Sequence, residues 1–207
     1  MRNPSPKIVQ TDPYGVETAC MAQLLYMYGD LELFKLPAFN TTVGWRPSEG
    51  DTQSGNLFYM LREGYCVHEI TPFDPALIVA QGEEYLAHIW RENGETAQAI
   101  KTELPRIFPY ARKRALLKVR AISHFSDRYS RDSRPGTPED IFNRLKDGWQ
   151  IVCDIEKDHD LRHVLITRIL DNEWYEIFDP MSGIVHMRPR EINYPQVLTL
   201  QCFKKIP

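Results

Sequence analysis

Two runs of β-branched and aromatic residues, His163-Val164-Leu165-Ile166-Thr167-Arg168-Ile169-Leu170 and Glu173-Trp174-Tyr175-Glu176-Ile177-Phe178-Asp179, flank the turn signal Asp171-Asn172. Runs of this composition around such a turn pair as an antiparallel hairpin. A three-residue loop at 170–172, with Asn172 left-handed, sets His163 directly across from Asp179. A strict two-residue loop moves the register by one and turns the two side chains to opposite faces. The first arrangement is the expectation, because a carboxylate beside an imidazole holds the ring's tautomer and orientation for a nucleophile elsewhere in the chain.

The nucleophile this pair suits is Cys20. In Thr18-Ala19-Cys20-Met21-Ala22-Gln23-Leu24-Leu25-Tyr26-Met27-Tyr28-Gly29, apolar residues fall at 21, 24, 25 and 28, the spacing of one helix face. Thr18 suits the N-cap of that helix and Gly29 its end. Cys20 then lies in the first turn, where unpaired backbone N–H groups and a neighbouring imidazolium lower a thiol pKa and can hold an oxyanion. A small buried apolar residue is the ordinary role of a cysteine. The downstream His163 and Asp179 are what set Cys20 apart.

These segments resemble the C39-like cysteine peptidases, a group of papain-like fold that includes the bacteriocin double-glycine peptidases. The stretch 18–29 resembles that group's nucleophile helix. The stretch Thr137-Pro138-Glu139-Asp140-Ile141-Phe142-Asn143-Arg144-Leu145-Lys146-Asp147-Gly148-Trp149-Gln150-Ile151-Val152 is similar to its helix, glycine and strand before the histidine. His163-Val164-Leu165-Ile166 and Phe178-Asp179-Pro180-Met181-Ser182-Gly183 look like its histidine strand and Asp-Pro segment. The resemblance implies Cys20, His163 and Asp179 as catalytic residues and Gln10, in Gln10-Thr11-Asp12-Pro13, as oxyanion donor, with Tyr14 as the substitute. The chain departs from the pattern in three places. Gln10 stands ten positions before Cys20, Met21 follows the cysteine, and Arg162 precedes the histidine where the group commonly has glycine.

With 207 residues, 43% of them apolar, and a net charge of −3, the chain has ample material for a core and no global bias toward nucleic acid. The start Met1-Arg2-Asn3-Pro4-Ser5-Pro6-Lys7-Ile8 has no apolar signal core, and no stretch approaches the roughly twenty apolar residues that span a bilayer. Cys20, Cys66, Cys153 and Cys202 lie far apart in apolar contexts, which argues against a zinc knuckle or a disulfide framework. The last three read as small buried residues of strands. His159, Asp160 and His163, with Asp154 or Asp158, could be drawn as a metal cluster, but Glu156-Lys157-Asp158-His159-Asp160 reads as a solvated strand-to-strand turn. No GxSxG elbow, GxxxxGK[ST] loop or GxGxxG turn occurs.

The segment 73–134 differs in character. Helical periodicity runs over 75–91 and 95–107, and 110–125 mixes apolar positions with Arg112, Lys113, Arg114, Lys118 and Arg120. The basic run continues through Arg128, Arg131 and Arg134, and reads as a solvated helix face followed by a mobile loop.

The expectation is therefore an α+β chain, one papain-like, C39-like domain over 1–207, with an N-terminal nucleophile helix on an antiparallel sheet and a helical insertion at about 73–134. The expected activity is a thiol-dependent peptidase or amidase working through a thioester, without cofactor or metal, on a peptide or amide substrate. Nucleic acid and membrane are not expected partners, and a cytoplasmic setting is. The alternatives are a papain-like acyltransferase and a non-catalytic peptide-binding module.

Overall fold

The computed structural model describes residues 16–32, 39, 53–157, 160–170 and 174–206. The apolar runs form seven strands: β1 Tyr65–Ile70, β2 Tyr129–Asp132, β3 Gln150–Lys157, β4 Asp160–Leu170, β5 Trp174–Asp179, β6 Gly183–Met187 and β7 Leu200–Lys205. They make one sheet in the order β2-β1-β7-β3-β4-β5-β6. Its pairs are antiparallel except β1 with β2. The described helices are α1 Val16–Tyr28, α2 Gln53–Arg62, α3 Pro75–Gln81, α4 Glu83–Glu92, α5 Ala97–His124 and α6 Pro138–Lys146. The α+β class is thus as expected, and none of these helices is long and apolar enough to cross a membrane.

Strand alternation divides the sheet's side chains into two faces. On the first, Val67, Val152, Leu165, Phe178 and Phe203 pack against Cys20, Met21, Leu24 and Leu25 of α1 and Leu57, Met60 and Leu61 of α2. On the second, Ile151, Cys153, Ile155, Val164, Ile166, Ile177, Leu200 and Cys202 pack with Ile141 and Leu145 of α6. Burying each large apolar side chain is worth roughly 1.5–3 kcal/mol, so this layering is what fixes α1 on the sheet. A third, smaller core joins α3, α4 and α5 through Ile78, Tyr85, Leu86, Ile89, Leu104 and Ala115.

Several expectations are corrected here. The helix read over 75–91 is two, because Gly82 sits at φ 67°, a backbone conformation that ends α3. The two stretches read over 95–107 and 110–125 are one helix, α5, which runs through Pro105 and Pro109. Both prolines are exposed, so the carbonyls they leave unbonded face water. The basic loop is in part a strand: β2 pairs with β1, Tyr129 donates to Glu69, and Arg131 is bound by Asp74 and Ser133. These specific partners hold an edge strand that apolar patterning cannot reveal. Thr18 is not a cap, since α1 already begins at Val16, and its hydroxyl accepts from Asn56 Nδ2 at 3.3 Å. At the other end of α1, Gly29 (φ 83°) turns the chain, its N–H donating to the Tyr26 carbonyl at 3.0 Å.

Helix α6 is started by a full capping box. Thr137 Oγ1 accepts from the Asp140 N–H at 3.2 Å, and the Asp140 carboxylate accepts from the Thr137 N–H at 2.9 Å. Arg134 forks onto the same carboxylate with two bonds of 2.7 Å. That guanidinium, helped by Thr137, holds the Asp140 carboxyl down at about 2.

Candidate active site

Cys20 lies on the sheet-facing side of α1, fully buried, with its Sγ 3.8 Å from the backbone carbonyl oxygen of His163 on β4. The fold therefore brings together the thiol and the histidine strand, 143 residues apart in the chain. Because α1 starts at Val16, Cys20 is its fifth described residue, and the α-helical ladder directs its N–H to the Val16 carbonyl. The expectation that this N–H points at an oxyanion from the helix end is corrected by that position. Gln10 and Tyr14 lie outside the described residues.

The hairpin register also differs from the expected one. Leu165 pairs with Phe178 and Ile166 with Ile177, and the register shifts at Thr167 so that Arg168 meets Glu176. Leu165 and Phe178 belong to the core under α1, and Ile166 and Ile177 to the core on the other side. By alternation His163 shares the face of Leu165, while Asp179 shares the face of Ile177. The expected cross-strand pairing of His163 with Asp179 is therefore not made.

Across from His163 stands Asp154 of β3 instead. Asp154 Oδ1 lies 2.5 Å from His163 Nδ1, with the two side chains 28% and 36% exposed. A carboxylate at Nδ1 leaves Nε2 as the basic nitrogen of the neutral ring, the tautomer a thiol partner requires. Asp179, 2% exposed, serves the β5–β6 turn: it accepts from the Met181 N–H at 2.9 Å and from the Ser182 hydroxyl, and Arg162 Nη1 stands 3.4 Å away. Lys157 Nζ is 3.9 Å from the same carboxylate.

His163 and Asp154 open onto a cavity of about 370 Å3, a size typical of small-ligand sites. Its sheet side also carries Glu69 and Gln201, α1 contributes Glu17, and the far wall is built by α3, α4 and α5 with Ile78, Trp90 and Lys118 among its residues. Glu69 is 1% exposed and is neutralised by Lys118 Nζ at 2.6 Å and the Tyr129 hydroxyl. Burial, then the Glu69 charge, pushes the Tyr129 phenol well above its ordinary value, so it stays a donor at all working pH. The wall is thus mainly apolar, with the Glu69–Lys118–Tyr129 charge network set into it.

Of the other cysteines, Cys153 and Cys202 are buried, and burial pushes both thiols up, Cys202 to about 12. Both are the inert core residues the sequence suggests, while Cys66 is half-buried. Among the described residues no group of three or more His, Cys, Asp or Glu side chains is disposed to hold a metal ion, and Asp158 and His159 lie outside them.

Asp154 and Glu69 join the site although no motif marks either as an orienting or cavity residue. Each is a carboxylate on a strand next to buried apolar residues, Ile151-Val152-Cys153-Asp154-Ile155 and Val67-His68-Glu69-Ile70. A charge at such a position needs a partner, which is a readable signal. Compared with family models, curated proteins and solved structures, the chain matches none of them.

Proposed function

We propose that this chain is a thiol-dependent peptidase or amidase of papain-like, C39-like type, with Cys20 as nucleophile, His163 as general base and Asp154, rather than Asp179, orienting the imidazole. The observation that carries the reading is the approach of the Cys20 sulfur to the His163 strand, on the same sheet face as the 2.5 Å His163–Asp154 contact. In this reading His163 Nε2 takes the Cys20 proton and the sulfur attacks an amide carbonyl carbon. The C–N bond breaks as the imidazolium returns its proton to the leaving amine, leaving a thioester. Water, deprotonated by His163, then releases the acid and the thiol. An amine in place of that water makes the same site an acyltransferase. In this reading the substrate comes in by the cavity that His163 and Asp154 line, and neighbouring side chains must shift to uncover the buried Cys20 sulfur, which is not on that wall.

A non-catalytic peptide-binding module is the second reading, and one observation favours it. Cys20 is 0% exposed, and its S–H is placed as a donor to the His163 carbonyl, the arrangement of a resting neutral thiol.

The deciding experiment is the pH dependence of iodoacetamide alkylation at Cys20 in the native protein, mapped by peptide mass, with His163→Ala beside it. Fast labelling near pH 6 that His163→Ala abolishes supports the enzyme. Labelling that rises only around the ordinary thiol value of about 8.5, and ignores His163, sinks it and leaves the binding module.

A further inference from the structure

A second concavity, separate from the His163 cavity, lies between α2 and α5. It measures about 570 Å3 and is lined by Phe58, Tyr59 and Arg62 from α2 and by Leu117, Arg120 and His124 from α5, together with Gly55 and Ala121. Two of its apolar residues are open, Phe58 at 42% and Leu117 at 45% exposed, while Tyr59 is half-buried against Phe39. The cations have one sign to themselves: from Leu104 to Ser126 the chain carries Arg106, Arg112, Lys113, Arg114, Lys118 and Arg120 and no carboxylate, in a protein of net charge −3. On the exposed side of α5, Arg106, Lys113 and Arg120 recur every seven residues, about 10 Å apart along the helix axis. Leu116, Leu117 and Tyr110 fill the gaps between them, Tyr110 being 71% exposed. Among the described residues Lys113 and Arg120 make no ion pair, and Arg62 is shared with Glu63 at 3.0 Å.

We propose that this groove is a docking site for a short acidic, amphipathic segment of a partner polypeptide, bound helix-in-groove with its apolar side on Phe58, Tyr59 and Leu117 and its carboxylates against Arg62, Lys113 and Arg120. Charge selects the sign of the ligand. The apolar floor selects against nucleic acid, whose backbone rewards cations alone and whose bases need stacking platforms aligned along a strand. Concavity selects a ridge over a flat lipid surface, and an amphipathic helix presents such a ridge at i, i+3, i+4 and i+7. The site is independent of the thiol chemistry, because none of its lining residues lines the His163 cavity.

The test uses a fluorescein-labelled synthetic helix of fourteen residues with leucine at i, i+3, i+4, i+7 and i+11 and glutamate elsewhere, followed by anisotropy with the full chain. Controls are a scrambled peptide of identical composition, a duplex DNA and vesicles containing phosphatidylglycerol. Saturable binding of the amphipathic peptide, weakened about tenfold or more by scrambling, by Arg120→Glu and by Leu117→Ser, establishes the site. Phe58→Ser serves as the second floor variant, and Phe58, Leu117 and Arg120 are all exposed enough that circular dichroism should show unchanged folding. Equal binding of the scrambled peptide, indifference to both Arg120→Glu and the floor variants, or tighter binding to DNA or vesicles overturns the proposal. So does a concentration-dependent dimer that Arg120→Glu dissolves, which would make a second copy the occupant.

Discussion

Replacing Asp154 by asparagine keeps the shape of the contact to His163 and removes its charge, which isolates what the carboxylate does. The two side chains approach to 2.5 Å and are each about a third exposed. Unit charges about 4 Å apart interact by about 1 kcal/mol in water and about 4 kcal/mol at the effective dielectric of a protein surface. Partial exposure puts this pair between those limits, near about 2 kcal/mol, or roughly thirtyfold in the population of an imidazolium–thiolate pair. The alkylation rate of Cys20 at pH 6.5 should therefore fall about thirtyfold in Asp154→Asn. The paired experiment is Asp179→Asn, which should leave that rate alone. It weakens the turn that Asp179 organises through Met181, Ser182 and Arg162. Losing charge-assisted hydrogen bonds of this kind costs about 1.5–3 kcal/mol, or roughly 3–10 °C in the melting temperature of a chain this size. A rate within about threefold of wild type in Asp154→Asn, together with a slowed rate in Asp179→Asn, would refute the assignment and restore the carboxylate read from the motif.

Four further outcomes follow from other groups of the fold. His68 is buried, its Nδ1 2.8 Å from Ser130 Oγ and its Nε2 2.8 Å from Arg144, so the neutral ring donates to the serine and accepts from the guanidinium. Burial first and Arg144 second lower its pKa below 6.5, against the opposing pull of Asp132. A base lowered by folding contributes stability that is complete above its unfolded value and lost as pH falls through the folded one, so thermal melts should drop below about pH 6.5 in wild type and less in His68→Gln. Thr137→Ala removes the cap of α6 and should cost about 1 kcal/mol in urea unfolding. The Asp140 carboxyl, held at about 2, keeps its contribution down to the ordinary carboxylate range and loses it only as pH falls toward about 2. Native labelling by a thiol reagent at pH 8 should spare Cys153 and Cys202 until denaturant is added, because burial raises both thiols; early labelling of either would contradict the packing of the second core.

What could be read from the chain depended on how local the determinant was. Helix α1 and strands β4 and β5 are set by periodicity and turn residues within a dozen positions, and each was legible. The β4–β5 register was not, because it depends on the conformation of a loop and on the shift at Thr167, whose hydroxyl bonds to the Glu176 carbonyl and carboxylate at 3.2 and 2.7 Å. One residue of slip moved Asp179 to the opposite face from His163. The partner that replaces it was within reach of the same reasoning. The charged stretch 156–160 reads as a tight strand-to-strand turn, and a turn that sets Lys157 across from Asp160 necessarily sets Asp154 across from His163.

The segment 73–134 shows why composition alone misjudges an insertion. Its sequence is helical and carries a basic run, and it lies between the two ends that hold the candidate catalytic residues, which reads as an insertion. Yet it supplies β2, an edge strand of the sheet, and Lys118 of α5 neutralises Glu69 of β1, a carboxylate only 1% exposed. Withdrawing that lysine leaves a buried charge with the Tyr129 hydroxyl as its remaining partner, a change that typically costs about 3–5 kcal/mol. The same helix closes the wall of the cavity onto which His163 and Asp154 open. The sheet's stability and the shape of the candidate active site therefore both pass through α5, so the insertion cannot be removed without altering the site it covers.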